Sequence, residues 1–376
     1  MTEQGMETMQ TKYWKASPNA EAFDPAILEA AEYLRSGRLV AFPTETVYGL
    51  GANALSTEAV EKIFQAKGRP SDNPLIVHIA DPGQLDDLVL EYDAPVKQLI
   101  EAFWPGPLTL VLPVRPGAVS PRVTAGLSTI AVRMPDHPLA LHLIRAAGCP
   151  VAAPSANRSG KPSPTAAEHV RNDLDGRIDG ILDGGHSGVG LESTVVEWAD
   201  GKVWILRPGG ITPEDIRRLG LAVELDASLQ STGGDSSDAA SSFDGVKEAG
   251  GPTPRSPGMK YRHYAPKGML SIVQGDNPQK VSAYIQERID EAKAKGEKTG
   301  ILAFEEHLPY YRADVVLSCG SQDDLSSAGK LLYDALREFD REGVSYILAE
   351  GFREDGLGLA VMNRLHKAAG GRLIHI

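Results

Sequence analysis

Cysteine is almost missing from this chain: Cys149 and Cys319, one in each half, are the two present in 376 residues. A pair so placed offers neither a disulfide framework nor a zinc-finger spacing. No stretch approaches the roughly 20 apolar residues of a membrane span. The opening MTEQGMETMQ is polar and acidic, without the apolar run of a secretion signal. The expected setting is therefore cytoplasmic. Positive charge is scarce as well. Lys and Arg number 38 against 50 Asp and Glu, a net charge of −12, which argues against a broad nucleic-acid surface but permits a local basic cleft. Signatures of covalent and metal catalysis are missing too: there is no G-x-S-x-G elbow, no H-E-x-x-H and no Walker phosphate loop. What is present is an ordinary hydrophobic content of 42% and enough length for two domains.

One stretch organises the rest. Residues 66–79 read AKGRPSDNPLIVHI. Lys67 and Arg69 stand two apart, so an extended backbone would project both to one side. Gly68 between them permits close approach of a ligand or another backbone. Pro70 and Pro74 stiffen the turn, and Asn73 supplies an amide before an apolar strand begins. Two cations on one side of a rigid turn suit a polyphosphate through charge-assisted hydrogen bonds. Taken alone, Lys-Gly-Arg reads more readily as a solvated basic turn.

Its neighbours change that reading. A short strand over 39–42 runs into FPTETVYGLG (42–51), which carries three hydroxyls, a carboxylate and two glycines. Strand ends in open α/β sheets are where ligands bind. A strand over 128–133 ends on Arg133, with Thr129 and Arg133 on one face and Ile130 and Val132 toward the core. The segment 149–165 breaks from an apolar strand into Ser155-Ala-Asn157 and a Gly/Pro/Ser loop with Arg158 and Lys161. Two more strands, 192–197 and 203–206, place Ser193 and Arg207 at their ends.

FPTETVYGLG and KGRPSDNPLIVHI together make the chain resemble the YrdC-like family, in particular its two-domain members, the threonylcarbamoyl-AMP synthases. The resemblance spans about 22–212 and continues through SPGMKYRHYAP (256–266) to the C-terminus. It implies L-threonylcarbamoyladenylate synthesis for tRNA modification: L-threonine, bicarbonate (or carbon dioxide) and ATP give threonylcarbamoyl-AMP and pyrophosphate, with Mg²⁺ as cofactor. It implies that Lys67, Arg69, Asn73, Thr129, Asn157, Thr165, Arg207 and Tyr264 meet ATP, with Lys67 and Arg69 also catalytic. Thr46, His78, Arg133, Ser155 and Ser193 would meet threonine, Arg133 as the fork for its carboxylate. The metal ligands are unassigned. A downstream tRNA threonylcarbamoyl transferase complex would consume the product, without direct tRNA contact by this chain. Two other readings are an RNA-binding module using the same cleft, and carbamoyl transfer of the hydrogenase-maturation type. The first is opposed by the acidic total and the lack of basic-aromatic interleaving. The second would need fused zinc-finger and acylphosphatase-like segments, and neither appears.

The expected organisation is α/β throughout. Residues 1–21 read as a loose tail and 22–212 as a YrdC-like twisted open α/β sheet domain. Residues 213–267 read as a linker with a Ser/Gly/Asp-rich tract, and 268–376 as a smaller Rossmann-like α/β domain. That last domain lacks a G-x-G-x-x-G opening, so no dinucleotide is assigned to it. The bulky residues of 256–266 suit a lid over the cleft, with Tyr264 on the nucleotide.

Overall fold

The computed structural model describes residues 9–18, 20–230 and 264–376. Two sheets carry the fold. The larger is mixed and, among the described residues, has 11 strands. At its centre the parallel pair Ile76–His78 and Thr129–Arg133 puts His78 directly opposite Arg133. Val151–Ala152 and then Gly49–Asn53 extend one flank antiparallel, and Leu108–Pro113 and Thr194–Ala199 extend the other. Lys202–Arg207 pairs antiparallel with Thr194–Ala199. The smaller sheet is wholly parallel, in the order Val315–Ser318, Thr299–Ala303, Tyr346–Glu350, Met269–Gln274, Leu373–His375. Helices 13–17 residues long cover it, as burial of both faces of a parallel sheet requires.

Local chemistry sets the helices. Asp24 caps Pro25–Arg35 by accepting from the Ala26 amide, with proline at the first position. Ser56 caps Thr57–Lys67, and Gly68, left-handed at φ 61°, ends it. Ile27, Ala30, Ala31 and Leu34 bury one helix face in a core with Leu139, Leu143 and Ile144. The main core lies on the other side of the sheet and includes Ile63, Val77, Val132 and Trp104. The Trp104 indole also donates to Leu108 O at 2.8 Å. Both cysteines are free and buried.

Several expectations are corrected. Lys12–Lys15, inside the presumed tail, is the edge strand beside Gly180–Asp183. Trp14 anchors it against a glycine, for a Cβ on Gly180 would lie 2.1 Å from the indole. Val223–Leu225, inside the presumed linker, pairs with Lys202–Arg207. The helix Pro213–Arg217 precedes it, capped reciprocally by Thr212 and Asp215. The glycine-rich end of FPTETVYGLG, expected only as the segment after a strand, itself opens the strand Gly49–Asn53. Leu373–His375 adds a fifth strand to the smaller sheet. Residues 256–263 of the lid segment lie outside the described residues.

Candidate adenylation cleft

Strand ends and turns converge on one cleft. Of the residues singled out in the sequence, Thr46, Arg69, His78, Arg133, Ser155, Asn157, Ser193, Arg207 and Tyr264 line it. Arg133, 3% exposed, is held from three directions. Its Nη1 donates to Thr46 Oγ1 at 2.8 Å and its Nε to Gly106 O at 3.2 Å. Nη2 lies 2.5 Å from Glu45 Oε1, close enough to pair charges but not aligned as a hydrogen bond. Across the sheet His78 is buried, and its Nδ1 has no partner among the described residues. Burial first, and then the Arg133 charge, lower its pKa to about 3, so the ring is neutral at physiological pH.

The Lys67–Arg69 turn is not extended. Lys67 is the last helical residue, and the left-handed Gly68 swings Arg69 away from it. The Lys67 ammonium, buried, donates to Ser155 O at 2.5 Å and Asn157 O at 2.7 Å. Burial and then the Arg69 charge lower its pKa well below the ordinary value. Lys67 thus props the Ser155–Asn157 turn from behind and does not line the cleft, whereas Arg69 does. The turn is closed internally: Ser155 Oγ donates to Asn157 Oδ1 at 2.6 Å. Asn157 Nδ2 spans Arg158 O and Lys161 O.

Three other residues stand apart from the cleft lining. Asn73 is wholly buried, and neither amide atom has a partner among the described residues. Thr129 is half-buried at the start of its strand, opposite Pro113. Thr165 hydrogen-bonds Asp334 of the second domain through its hydroxyl.

On the far wall Glu192, Tyr333 and Arg364 join the expected Ser193, Arg207 and Tyr264. Ser193 Oγ meets Thr109 Oγ1 at 2.7 Å and accepts from Arg207 Nη2 at 3.0 Å. Beside it Glu192, buried, accepts from Ser163 Oγ at 2.5 Å, Tyr333 OH at 2.8 Å and Arg364 Nε at 2.9 Å. Burial alone would raise its pKa, but Arg364 and then Arg207 overcome that and lower it to about 2. Tyr333 and Arg364 come from the second domain. Tyr264, in a left-handed backbone at φ 66°, packs against Tyr333 with ring centroids 5.1 Å apart. Burial, and then the Glu192 charge, push its hydroxyl up to about 12. The available signal was Arg364 itself: it shares a helical face with Ala360, Val361 and Ala368, so a charge stands at a core position.

An open sheet with three arginines, hydroxyls and a neutral imidazole in one cleft defines a protein that holds anions by positioned charge. A family model described as "Telomere recombination" matches residues 32–209. A second, described as "Threonylcarbamoyl-AMP synthase, C-terminal domain", matches 211–370. A threonylcarbamoyl-AMP synthase of Bacillus subtilis is 54% identical, covering 97% of this chain and 100% of the relative. One from Pyrococcus abyssi is 48% identical over 92% of this chain and 95% of its own. The crystal structure of P. abyssi Sua5 complexed with L-threonine superposes with a TM-score of 0.86. It is 45% identical, covering 97% of this chain and all of that one. The chain belongs to the two-domain threonylcarbamoyl-AMP synthase family.

Proposed function

We propose that this chain condenses L-threonine, bicarbonate or carbon dioxide and ATP into threonylcarbamoyl-AMP, releasing pyrophosphate. The observation that carries this reading is the convergence of Arg133 with Arg69 and Arg207 in one cleft, a carboxylate fork beside phosphate-binding cations.

Threonine's carboxylate docks on Arg133, with Thr46, Ser155 and Ser193 around its hydroxyl and amine. The neutral His78 Nδ1 offers one further hydrogen bond. The free amine attacks carbon dioxide, forming a C–N bond and losing a proton to give the carbamate. A carbamate oxygen then attacks the α-phosphorus in line, the bond from that phosphorus to the bridging oxygen breaks, and pyrophosphate leaves. Arg69 and Arg207 hold phosphoryl oxygens as charge builds. Lys67 acts one layer back, fixing Ser155 and Asn157. Asn73, Asn157, Thr129, Thr165 and Tyr264 are assigned to the nucleotide; the orphaned Asn73 amide has hydrogen bonds to give and accept.

Mg²⁺ would arrive on the triphosphate and neutralise part of its charge. The protein's own donors do not fit a closed metal cage: Glu45 and Glu192 are each engaged by an arginine. Among the described residues no cluster of three or more His, Cys, Asp or Glu could hold an ion. The product's natural consumer is a tRNA threonylcarbamoyl transferase complex. No described helix is long and apolar enough to cross a membrane.

The test is pyrophosphate release from ATP and bicarbonate with each amino acid in turn. Threonine should support it, serine modestly less for want of a methyl contact. 2-Aminobutyrate should fail by orders of magnitude, since it leaves buried hydroxyl partners unpaired. Equal release with 2-aminobutyrate would refute this account of specificity.

A further inference from the structure

The second domain reaches into the wall of the cleft at one point. Arg364 is fully buried and is the largest such side chain in the described structure. Its Nε donates to Glu192 Oε2 at 2.9 Å and its Nη1 to Pro208 O at 2.6 Å. Glu192 immediately precedes Ser193, and Pro208 immediately follows Arg207. One guanidinium from the second domain therefore clamps the two backbone segments that carry Ser193 and Arg207. Those segments already touch: a Cβ on Gly209 would fall 2.3 Å from the Thr194 amide and 2.4 Å from Glu192 O. Arg207 binds Ser193 O through Nη2 at 2.9 Å and through Nε at 3.1 Å. Tyr333 OH adds a second donor from the same domain to the Glu192 carboxylate. With Ser163 as well, that carboxylate accepts from three side chains.

We propose that Arg364 is a positioning residue for the reaction: through Glu192 and Pro208 it sets where Ser193 and Arg207 stand in the cleft. The second domain thus completes the site by holding it, without touching substrate through this residue. The inference rests on the synthase reading of the cleft. It also explains a buried charge pair whose desolvation cost makes it weak as mere glue. A fork is required because two acceptors on two backbone segments are spanned at once; an ammonium is a point charge.

Four full-length proteins test this: wild type, Arg364→Gln, Arg364→Lys and Tyr333→Phe, each checked for native circular dichroism and assayed well below its Tm. Pyrophosphate release gives kcat and KM for ATP and threonine, and calorimetry gives threonine affinity. Arg364→Gln should lose about ten- to a hundredfold in kcat/KM, the range expected for a lost charge-assisted bond. Arg364→Lys should recover part of that loss, and Tyr333→Phe should lose less. A purely structural role would lower Tm in the variants and leave their kinetic constants alone. Folded Arg364→Lys and Tyr333→Phe with kcat, KM and threonine affinity within about twofold of wild type would overturn the inference. Those two decide the matter even if Arg364→Gln fails to fold. Wild type that releases no pyrophosphate would sink the synthase reading instead, while threonine calorimetry on the same set would still judge the positioning.

Discussion

Arg69 is the cation whose loss the nucleotide should feel first, because it faces the cleft while Lys67 is occupied behind it. Arg69→Ala should weaken ATP binding or slow adenylation about ten- to a hundredfold, read by calorimetry and initial rates. An unaltered variant would remove this turn from the site. Lys67→Ala should act differently, loosening the Ser155–Asn157 turn and lowering Tm as well as activity. His78 yields a pH prediction. Its pKa is lowered to about 3 by burial and then by Arg133, so the neutral ring is the folded form. Its stabilising preference for the folded state is complete above the unfolded value of about 6.5. It is lost progressively as pH falls from there to about 3, because the unfolded ring takes up a proton that the folded ring refuses. The His78 ring proton resonances should therefore stay flat from pH 8 to about 5; titration near 6.5 would contradict the burial argument. The residue types of the site were legible in the sequence, but their directions were not. Reading Lys67 and Arg69 as one face assumed a strand, and the Gly68 cap that separates them is a helix-terminal device.

At the scale of elements, the sheet depends on close approach at Gly51. A Cβ there would lie 2.9 Å from both Phe42 Cε1 and Val151 Cγ1 and 3.2 Å from Val40 O. Gly51→Ala should cost about 1–3 kcal/mol, measured by urea unfolding; a neutral substitution would mean that the strand Gly49–Asn53 packs differently. Periodicity made the strands ending at Phe42 and Arg133 readable, since each is an apolar run bounded by turn chemistry. It failed for Lys12–Lys15, whose burial rests on Trp14 alone. It failed also for Val223–Leu225, half-buried throughout with no alternation to detect. Edge strands are short and partly solvated, so their pattern is faint wherever the partner strand is distant in sequence.

Across the whole molecule, the two domains share polar contacts at the cleft. Arg337 pairs with Asp173 at 2.9 Å as Arg364 does with Glu192. Glu192 is held at about 2 against an ordinary 4.5 because Arg364 and Arg207 outweigh its burial. The lowered value means stability that is complete above pH 4.5 and lost as pH falls toward 2. Wild-type Tm should thus drop more steeply across that window than Tm of Glu192→Gln, and equal slopes would deny the pair its role. The pairing of Glu192 with Arg364 was illegible in sequence because 172 positions separate them. No local spacing encodes such a contact. The central claim is that the cleft joins a bicarbonate-derived carbon and threonine to AMP. Mass spectrometry of a reaction containing ATP, L-threonine and carbon-13 bicarbonate tests it most directly. The account predicts threonylcarbamoyl-AMP carrying one heavy carbon, with equimolar pyrophosphate. A threonyl adenylate without the label, or ADP and phosphate alone, would contradict it.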